Sequence, residues 1–156
     1  MIGKKGQSAL EYLMTYGWAI LIIIIVGGVL YYYGVFSPGK LVGKSKVGFS
    51  DVDVDAWTID TSGATPVMKI KLVNKVGKDI NITDITVASG ATTDSNTTVN
   101  EKVSAGEKSS FIPITLSNLN PSSGSAYKYD VTITYYITEY GPGTTFKSAG
   151  TLSGTA

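Results

Sequence analysis

The chain divides into an apolar N-terminal segment and a polar remainder in which hydrophobic residues alternate with polar ones. From Leu10 to Phe36 almost every side chain is apolar, and Glu11 carries the only charge. A helix needs about 20 residues to cross the hydrocarbon core of a bilayer, so this segment is long enough to span one. The pattern therefore predicts a hydrophobic helix over residues 7–37.

The remainder, residues 38–156, has the period-two alternation of β-strands. The clearest runs are Met68–Leu72 and Tyr129–Thr138. Shorter runs predict strands in 47–59, 80–88, 109–116 and 144–152, and residues 88–101 are predicted to form a polar loop. Pro113 indicates an edge strand, because proline cannot donate a ladder hydrogen bond. Short strands with turn-rich connections favour an immunoglobulin-like sandwich, so the predicted fold class is α+β.

Two lysines directly precede the apolar segment and suggest its orientation. Lys4 and Lys5 favour a cytoplasmic N-terminus, which places the polar remainder outside the cell. A plain single-pass membrane anchor fits this pattern. A secretory signal that is removed fits less well, because the run is long and no Ala-x-Ala-like cleavage site follows it.

Glu11 argues against a passive anchor. An unpaired carboxylate in an apolar helix costs several kcal/mol, and such a residue is by default a candidate functional site. Lys5 lies nearly opposite on a helical wheel, and the next cation is Lys40. The sequence therefore predicts a positive partner on another copy of the chain. The alternative is that Glu11 reaches the membrane interface or is protonated.

The N-terminal residues combine a short basic leader, Gly6, Gln7 and a glutamate four positions later, in KKGQSALEYLMTYGWAI. This combination resembles the class III signal peptide and mature N-terminus of archaeal type IV pilins. The resemblance covers roughly the first 35 residues. It implies that a prepilin peptidase removes the basic leader, residues 1–6, by cutting between Gly6 and Gln7.

The same resemblance implies a life cycle and a set of partners. The precursor waits in the cell membrane, and the retained helix then packs against identical helices in the core of an extracellular filament. The other expected partners are an assembly ATPase and its membrane platform. The glutamate of the family corresponds to Glu11, and its new N-terminus to Gln7.

Elementary electrostatics agrees with that assignment. Cleavage frees an ammonium group at Gln7, which Glu11 of a neighbouring copy would meet in a dry helical bundle. Two unit charges about 4 Å apart interact by about 4 kcal/mol at an effective dielectric constant near 20. Desolvation opposes this gain, so we expect the ion pair to set the register of the helices more than their net stability.

Composition argues against several other classes of function. Histidine, cysteine and arginine are absent, so the common nucleophile–base pairs and disulfides are missing, and we expect neither an enzyme nor a cofactor. The 13 basic and 12 acidic residues nearly balance, which gives no electrostatic footprint for nucleic acid.

The segment Asp51–Asp55 has three alternating aspartates and begins like an EF-hand loop. Ala56 stands where that loop needs glycine, and Ser62 where it needs glutamate, so no metal site is predicted. On a strand the three aspartates share one face. We expect that face to be solvated, and the alternative is a weak cation site completed by a neighbouring subunit.

Two Asn-x-Thr sequons provide candidate N-glycosylation acceptors on an exported chain, at Asn81 and Asn96. Asn96 is favoured, because it falls in the predicted loop. A glycan there would coat the outer surface and shield strand edges.

Three functions remain open from the sequence. The first is a pilin whose filament adheres to surfaces or cells. The second is an archaellin, the subunit of a motility filament, although the QSALEY start looks more like the adhesive pilins. The third is an extracellular binding domain that is anchored in the membrane and never polymerises.

Overall fold

A computed structural model describes residues 4–33 and 43–156. The chain divides into two compact units between Leu41 and Val42. Within the described residues, the first contains one helix, and the second, called the β domain here, contains all the strands described below.

The N-terminal unit contains helix α1, Lys4–Tyr32, of 29 residues. At about 1.5 Å per residue it is roughly 43 Å long. This confirms the apolar helix, but α1 begins three residues before the predicted start at residue 7. The lysines of the leader are good helix formers, so the helix continues back into them. The predicted end, at residues 34–37, lies outside the described residues.

The β domain contains nine strands within residues 43–156. They are β1 Ser45–Val47, β2 Val52–Asp60, β3 Val67–Asn74, β4 Ile80–Ser89, β5 Thr92–Asn96, β6 Glu101–Val103, β7 Lys108–Thr115, β8 Ala126–Ile137 and β9 Thr145–Thr155.

These strands form two sheets in which every pairing is antiparallel. The large sheet has the order β1-β9-β8-β4-β5, and β6 also pairs with β4. The small sheet has the order β2-β3-β7. The C-terminal strand β9 therefore lies inside the large sheet, between β1 and β8.

One hydrophobic core serves both sheets. Its fully buried side chains include Val52, Met68, Ile70, Leu72 and Ile114 from the small sheet, and Ile80, Ile82, Ile85, Ile133 and Leu152 from the large sheet. Burial of each such side chain contributes about 1.5–3 kcal/mol. Because the two sheets share this core, the β domain is sandwich-like, and the coarse α+β prediction is confirmed.

The period-two runs are strands, as predicted. In β3, Met68, Ile70 and Leu72 are buried, while the lysines between them lie at the surface. Strand β7, which contains Pro113, pairs with β3 alone among the described strands, so it is an edge strand of the small sheet.

Two sequence predictions about the strands are wrong. The run 47–59 is split, because the chain leaves the large sheet after β1 and enters the small sheet at β2, with Gly48 at φ +97° between them. The supposed loop 88–101 contains β5, which forms a hairpin with β4 around Gly90 at φ +61°. The threonines of this polar segment favour strands because they are β-branched.

Candidate functional site

From Ser8 to Tyr32 the surface of α1 is apolar and exposed. The stretch Ser8–Tyr32 has a mean hydropathy of 2.3 over its most apolar window, and none of that window is buried. Apart from the half-buried Leu30, its large apolar side chains are exposed by between 45% at Ile22 and 84% at Tyr32. An apolar surface of this size is far beyond what a soluble monomer exposes, so lipid or other protein must cover it.

Glu11 carries the only carboxylate on this surface. Its side chain is exposed, and its backbone carbonyl accepts a hydrogen bond from Thr15 Oγ1 at 2.8 Å. The ion pairs found among the described residues all lie in the β domain, and none includes Glu11. Gly6 and Gln7 lie near the beginning of α1, so the predicted cleavage site falls within helical backbone.

Three glycines interrupt the row of large side chains on α1. A Cβ atom built on Gly17, Gly27 or Gly28 would have no heavy atom within 4 Å. The helix passes through Gly27 and Gly28 without a break. Within the described residues these glycines therefore make no close contact. Each glycine also lowers the stability of the helix by about 1 kcal/mol relative to alanine. Such positions allow a second helix to approach closely.

The aspartate segment forms the predicted solvated face only in part, because Asp51 and Asp55 are exposed but Asp53 is not. Asp53 is only 8% exposed, and Val52 and Val54 on either side of it are also buried. Because neighbouring side chains of a strand lie on opposite faces, both faces of β2 are covered here. Lys46 Nζ lies 2.9 Å from its Oδ1, and Lys75 Nζ lies 2.6 Å from its Oδ2. Burial by itself would raise the pKa of Asp53, but the hydrogen bonds and charges of Lys75 and Lys46 outweigh it and leave the pKa lowered.

The other two aspartates also have partners within the protein. Asp55 pairs with Lys108 at 2.7 Å, next to a bulge in the β2–β3 pairing. Asp51 accepts a hydrogen bond from the hydroxyl of Tyr135 at 3.3 Å. Burial of that hydroxyl, together with the charge of Asp51, raises the pKa of Tyr135 to about 12. The described residues contain no group of three or more metal-ligating side chains that could hold an ion.

Lysines from the edge of the large sheet cover the edge of the small sheet. Lys44 Nζ donates to the carbonyl of Trp57 at 2.7 Å, and Lys46 Nζ donates to the carbonyl of Val54 as well as to Asp53. Strand β2 is an edge strand, so these carbonyls would otherwise be open to pairing with another chain. No local sequence pattern predicts this arrangement, because it depends on β1 and β2 lying in different sheets.

The two sequons lie in different structural settings. Asn96 ends β5, and its Oδ1 accepts hydrogen bonds from Thr98 N at 3.1 Å and Thr98 Oγ1 at 2.9 Å. Asn81 lies in β4, next to β6 and β8, and Thr83 Oγ1 there bonds to the carbonyl of Thr134 instead of to Asn81.

Comparisons with protein-family models, curated proteins and solved structures found no match to this chain. Its own features therefore define the class of molecule: an exposed apolar helix with one carboxylate, followed by a sandwich-like antiparallel β domain.

Proposed function

We propose that the chain is a pilin, a subunit that polymerises through α1 into an extracellular filament of the archaeal type IV kind. The observation that carries this proposal is the exposed apolar surface of Ser8–Tyr32, with a single charge at Glu11. Such a helix needs cover along its whole length, and identical helices supply it in a filament core.

Before assembly, the subunit is inserted in the cell membrane. A helix of 25 residues, Ser8–Tyr32, is about 37 Å long at 1.5 Å per residue, enough to cross a hydrocarbon core of about 30 Å. Lys4 and Lys5 hold the N-terminus on the cytoplasmic side, so the β domain is outside the cell. Cleavage after Gly6 by a prepilin peptidase removes both charges before an assembly ATPase and its membrane platform extract the helix.

Glu11 sets the register of assembly by pairing with the new ammonium group of Gln7 on a neighbouring copy. Glu11 carries the only carboxylate of the exposed apolar stretch Ser8–Tyr32, which supports this role because a carboxylate in an apolar bundle needs a cation. Gly17, Gly27 and Gly28 supply the places where neighbouring helices approach each other most closely.

The β domain forms the outer sheath of the filament and makes its adhesive contacts with surfaces or cells, as an immunoglobulin-like sandwich. Two antiparallel sheets over one core support this assignment. The lysines that cover the β2 edge disfavour strand pairing between neighbouring domains. The helices, and not the strands, therefore hold the filament together.

A membrane-anchored domain that never polymerises is the second candidate, since the length of α1 also suits a permanent anchor. The test is electron microscopy of material sheared from the cell surface, combined with intact mass measurement of the same chain. We expect filaments whose subunits begin at Gln7. Processed chains that stay dispersed in the membrane, or chains that retain Met1 in mature material, would contradict polymerisation.

Deletion of the gene for this chain distinguishes an adhesive pilin from an archaellin. We expect cells without it to lose attachment to surfaces and to swim normally. Loss of swimming with attachment intact would instead assign the archaellin function.

A further inference from the structure

The two sequons differ in what their side-chain amides are bonded to. A sugar can replace a hydrogen on Asn Nδ2 only if that hydrogen is not already committed to the fold. Asn Nδ2 carries two hydrogens, and its carbonyl oxygen is a separate acceptor. The partners of both atoms therefore show whether the folded domain presents a sequon to a transferase.

Asn96 Nδ2 uses one of its two hydrogens in a hydrogen bond within the described structure. Among the described residues, the carbonyl oxygen of Pro113 is the one acceptor within hydrogen-bond distance of Asn96 Nδ2, at 2.8 Å. The second hydrogen has no such partner there. The following residues Thr97 and Thr98 are exposed, so the backbone beyond Asn96 lies at the surface.

The side-chain oxygen of Asn96, Oδ1, accepts hydrogen bonds that favour transfer of a sugar to Nδ2. Thr98 donates to Asn96 Oδ1 with both its hydroxyl, at 2.9 Å, and its backbone N–H, at 3.1 Å. An amide nitrogen becomes nucleophilic when it loses a proton and negative charge develops on the oxygen. Two donors on that oxygen stabilise the charge, in the manner of an oxyanion hole.

Asn81 has the opposite arrangement. Its Nδ2 donates to Asn100 Oδ1 at 2.7 Å and to the hydroxyl of Tyr136 at 3.0 Å, so both hydrogens are in use. Its Oδ1 is buried without a hydrogen-bond partner among the described residues. The sequon threonine, Thr83, bonds to the carbonyl of Thr134 at 3.3 Å and gives Asn81 no help.

The geometry points to Asn96 as the N-glycosylated residue of the folded β domain, with Asn81 unmodified. In the reaction, Asn96 Nδ2 forms a bond to the anomeric carbon of an oligosaccharide carried on a lipid phosphate. The bond from that carbon to the phosphate oxygen breaks, and the lipid phosphate leaves with the electron pair. Nδ2 loses one proton to a base of the transferase, and no oxidation or reduction takes place.

After the reaction, the remaining hydrogen of Asn96 Nδ2 can keep its hydrogen bond to the carbonyl oxygen of Pro113. The glycan would then stand beside β7, the edge strand of the small sheet, and keep other chains from pairing with it. On the opposite edge of that sheet, Lys44 and Lys46 already cover β2.

The test is glycopeptide mass spectrometry of the unmutated full-length chain purified from its own cells. We expect one oligosaccharide on the peptide containing Asn96 and none on the peptide containing Asn81. Because this measurement uses no mutant, it does not depend on whether a variant folds. Occupancy at Asn81, or no occupancy at Asn96, would overturn the inference.

Matched variants identify the determinants. We expect Asn96→Gln and Thr98→Val to lose the oligosaccharide mass, and Asn81→Gln and Thr83→Val to retain it. Retention in the Thr98→Val chain would overturn the role of the hydroxyl.

This inference rests on one part of the proposed function, the export of the β domain. Its failure is distinguishable from failure of polymerisation. Filaments built from unglycosylated subunits would overturn the inference alone, and a glycosylated chain that never forms filaments would overturn the pilin proposal alone.

Discussion

Glu11 is the residue on which assembly is expected to depend. Glu11→Gln keeps the size of the side chain and removes its charge. We expect normal membrane insertion and normal leader cleavage but a filament yield at least about tenfold lower, since a loss of about 1.4 kcal/mol per contact already changes an equilibrium tenfold. Filaments in sheared fractions can be quantified by electron microscopy.

The control for this variant is Glu107→Gln in the β domain, whose carboxylate joins no ion pair among the described residues. It should assemble like the unmutated chain. Wild-type filament yield in the Glu11→Gln chain would exclude the ion pair as a determinant of assembly.

Gly6 is expected to determine cleavage, since the resemblance to pilins implies a peptidase that accepts a small residue before the cut. Gly6→Val should therefore leave residues 1–6 attached and the precursor in the membrane. Intact mass measurement distinguishes the two chains, with Gly3→Val as a leader variant that should still be cut. Efficient cleavage of the Gly6→Val chain would show that the site lies elsewhere.

Asp53 is the residue whose charge matters most inside the β domain. Asp53→Asn leaves Lys46 and Lys75 without their anionic partner, and we expect the free energy of unfolding to fall by about 2 kcal/mol. Asp60→Asn, which breaks an exposed pair with Lys69, should cost less than about 1 kcal/mol. Thermal unfolding of the detergent-solubilised chain, followed by Trp57 fluorescence in a Trp18→Phe background, measures both.

The same carboxylate gives the stability a dependence on pH. Its pKa in the folded state is below the ordinary value of 3.8, so the folded state binds its proton less readily than the unfolded state does. The contribution of Asp53 is therefore complete above about pH 4 and is lost as the pH falls through the lowered folded-state pKa. Between pH 4 and pH 2 the Asp53→Asn chain should lose less stability than the unmutated chain. Equal losses would show that Asp53 is not a source of the acid sensitivity.

At the scale of elements, the position of β1 depends on close contact with β9. A Cβ atom on Gly150 would lie 2.5 Å from the carbonyl oxygen of Val47 and 2.6 Å from the ring of Phe49. Gly150→Ala must therefore displace β1 or the ring, and we expect a loss of about 1–3 kcal/mol in the free energy of unfolding.

Gly143→Ala is the matched control, because a Cβ atom there would meet no heavy atom within 4 Å. The same fluorescence measurement applies to both variants. Equal unfolding temperatures for the Gly150→Ala and Gly143→Ala chains would show that β1 is not held by this contact.

Whether a helix or strand can be predicted from the sequence depends on how much of its hydrophobic pattern lies within the element itself. Strands β3 and β8 were predicted correctly because each carries its own alternation of apolar and polar residues, and helix α1 because its apolar run is long and nearly continuous. Strand β5 was missed, since its five residues are polar and the strand exists through pairing with β4. The break between β1 and β2 was missed because both segments look like strand, and only the sheets to which they belong separate them.

At the scale of the whole molecule, the two units have opposite requirements for solubility. Among the described residues, the members of the buried core all belong to Val52–Leu152, so the β domain has a hydrophobic core of its own. A chain of residues 43–156 should therefore fold and stay monomeric without detergent, and should unfold at the same temperature as the β domain of the full chain. Circular dichroism and size-exclusion chromatography provide the test, and aggregation of this shorter chain would contradict it.

Hydropathy and residue order along the chain are enough to predict an apolar helix, its one carboxylate, and strands in the remainder. These features are local, because hydropathy and periodicity are properties of neighbouring residues. The glycosylation candidates were also visible, but the sequence offered no contact that distinguishes Asn81 from Asn96.

Which polar residues are buried, and which residues they pair with, depends on how the strands pack in three dimensions. The bond from Lys75 to Asp53 joins residues 22 positions apart, and that from Asn96 to the Pro113 carbonyl joins residues 17 apart. Such contacts depend on which strands become neighbours when two sheets close over one core. Alternation along a strand assigns a residue to one face of a sheet, but the packing of other chain segments on that face decides whether it meets water or a lysine.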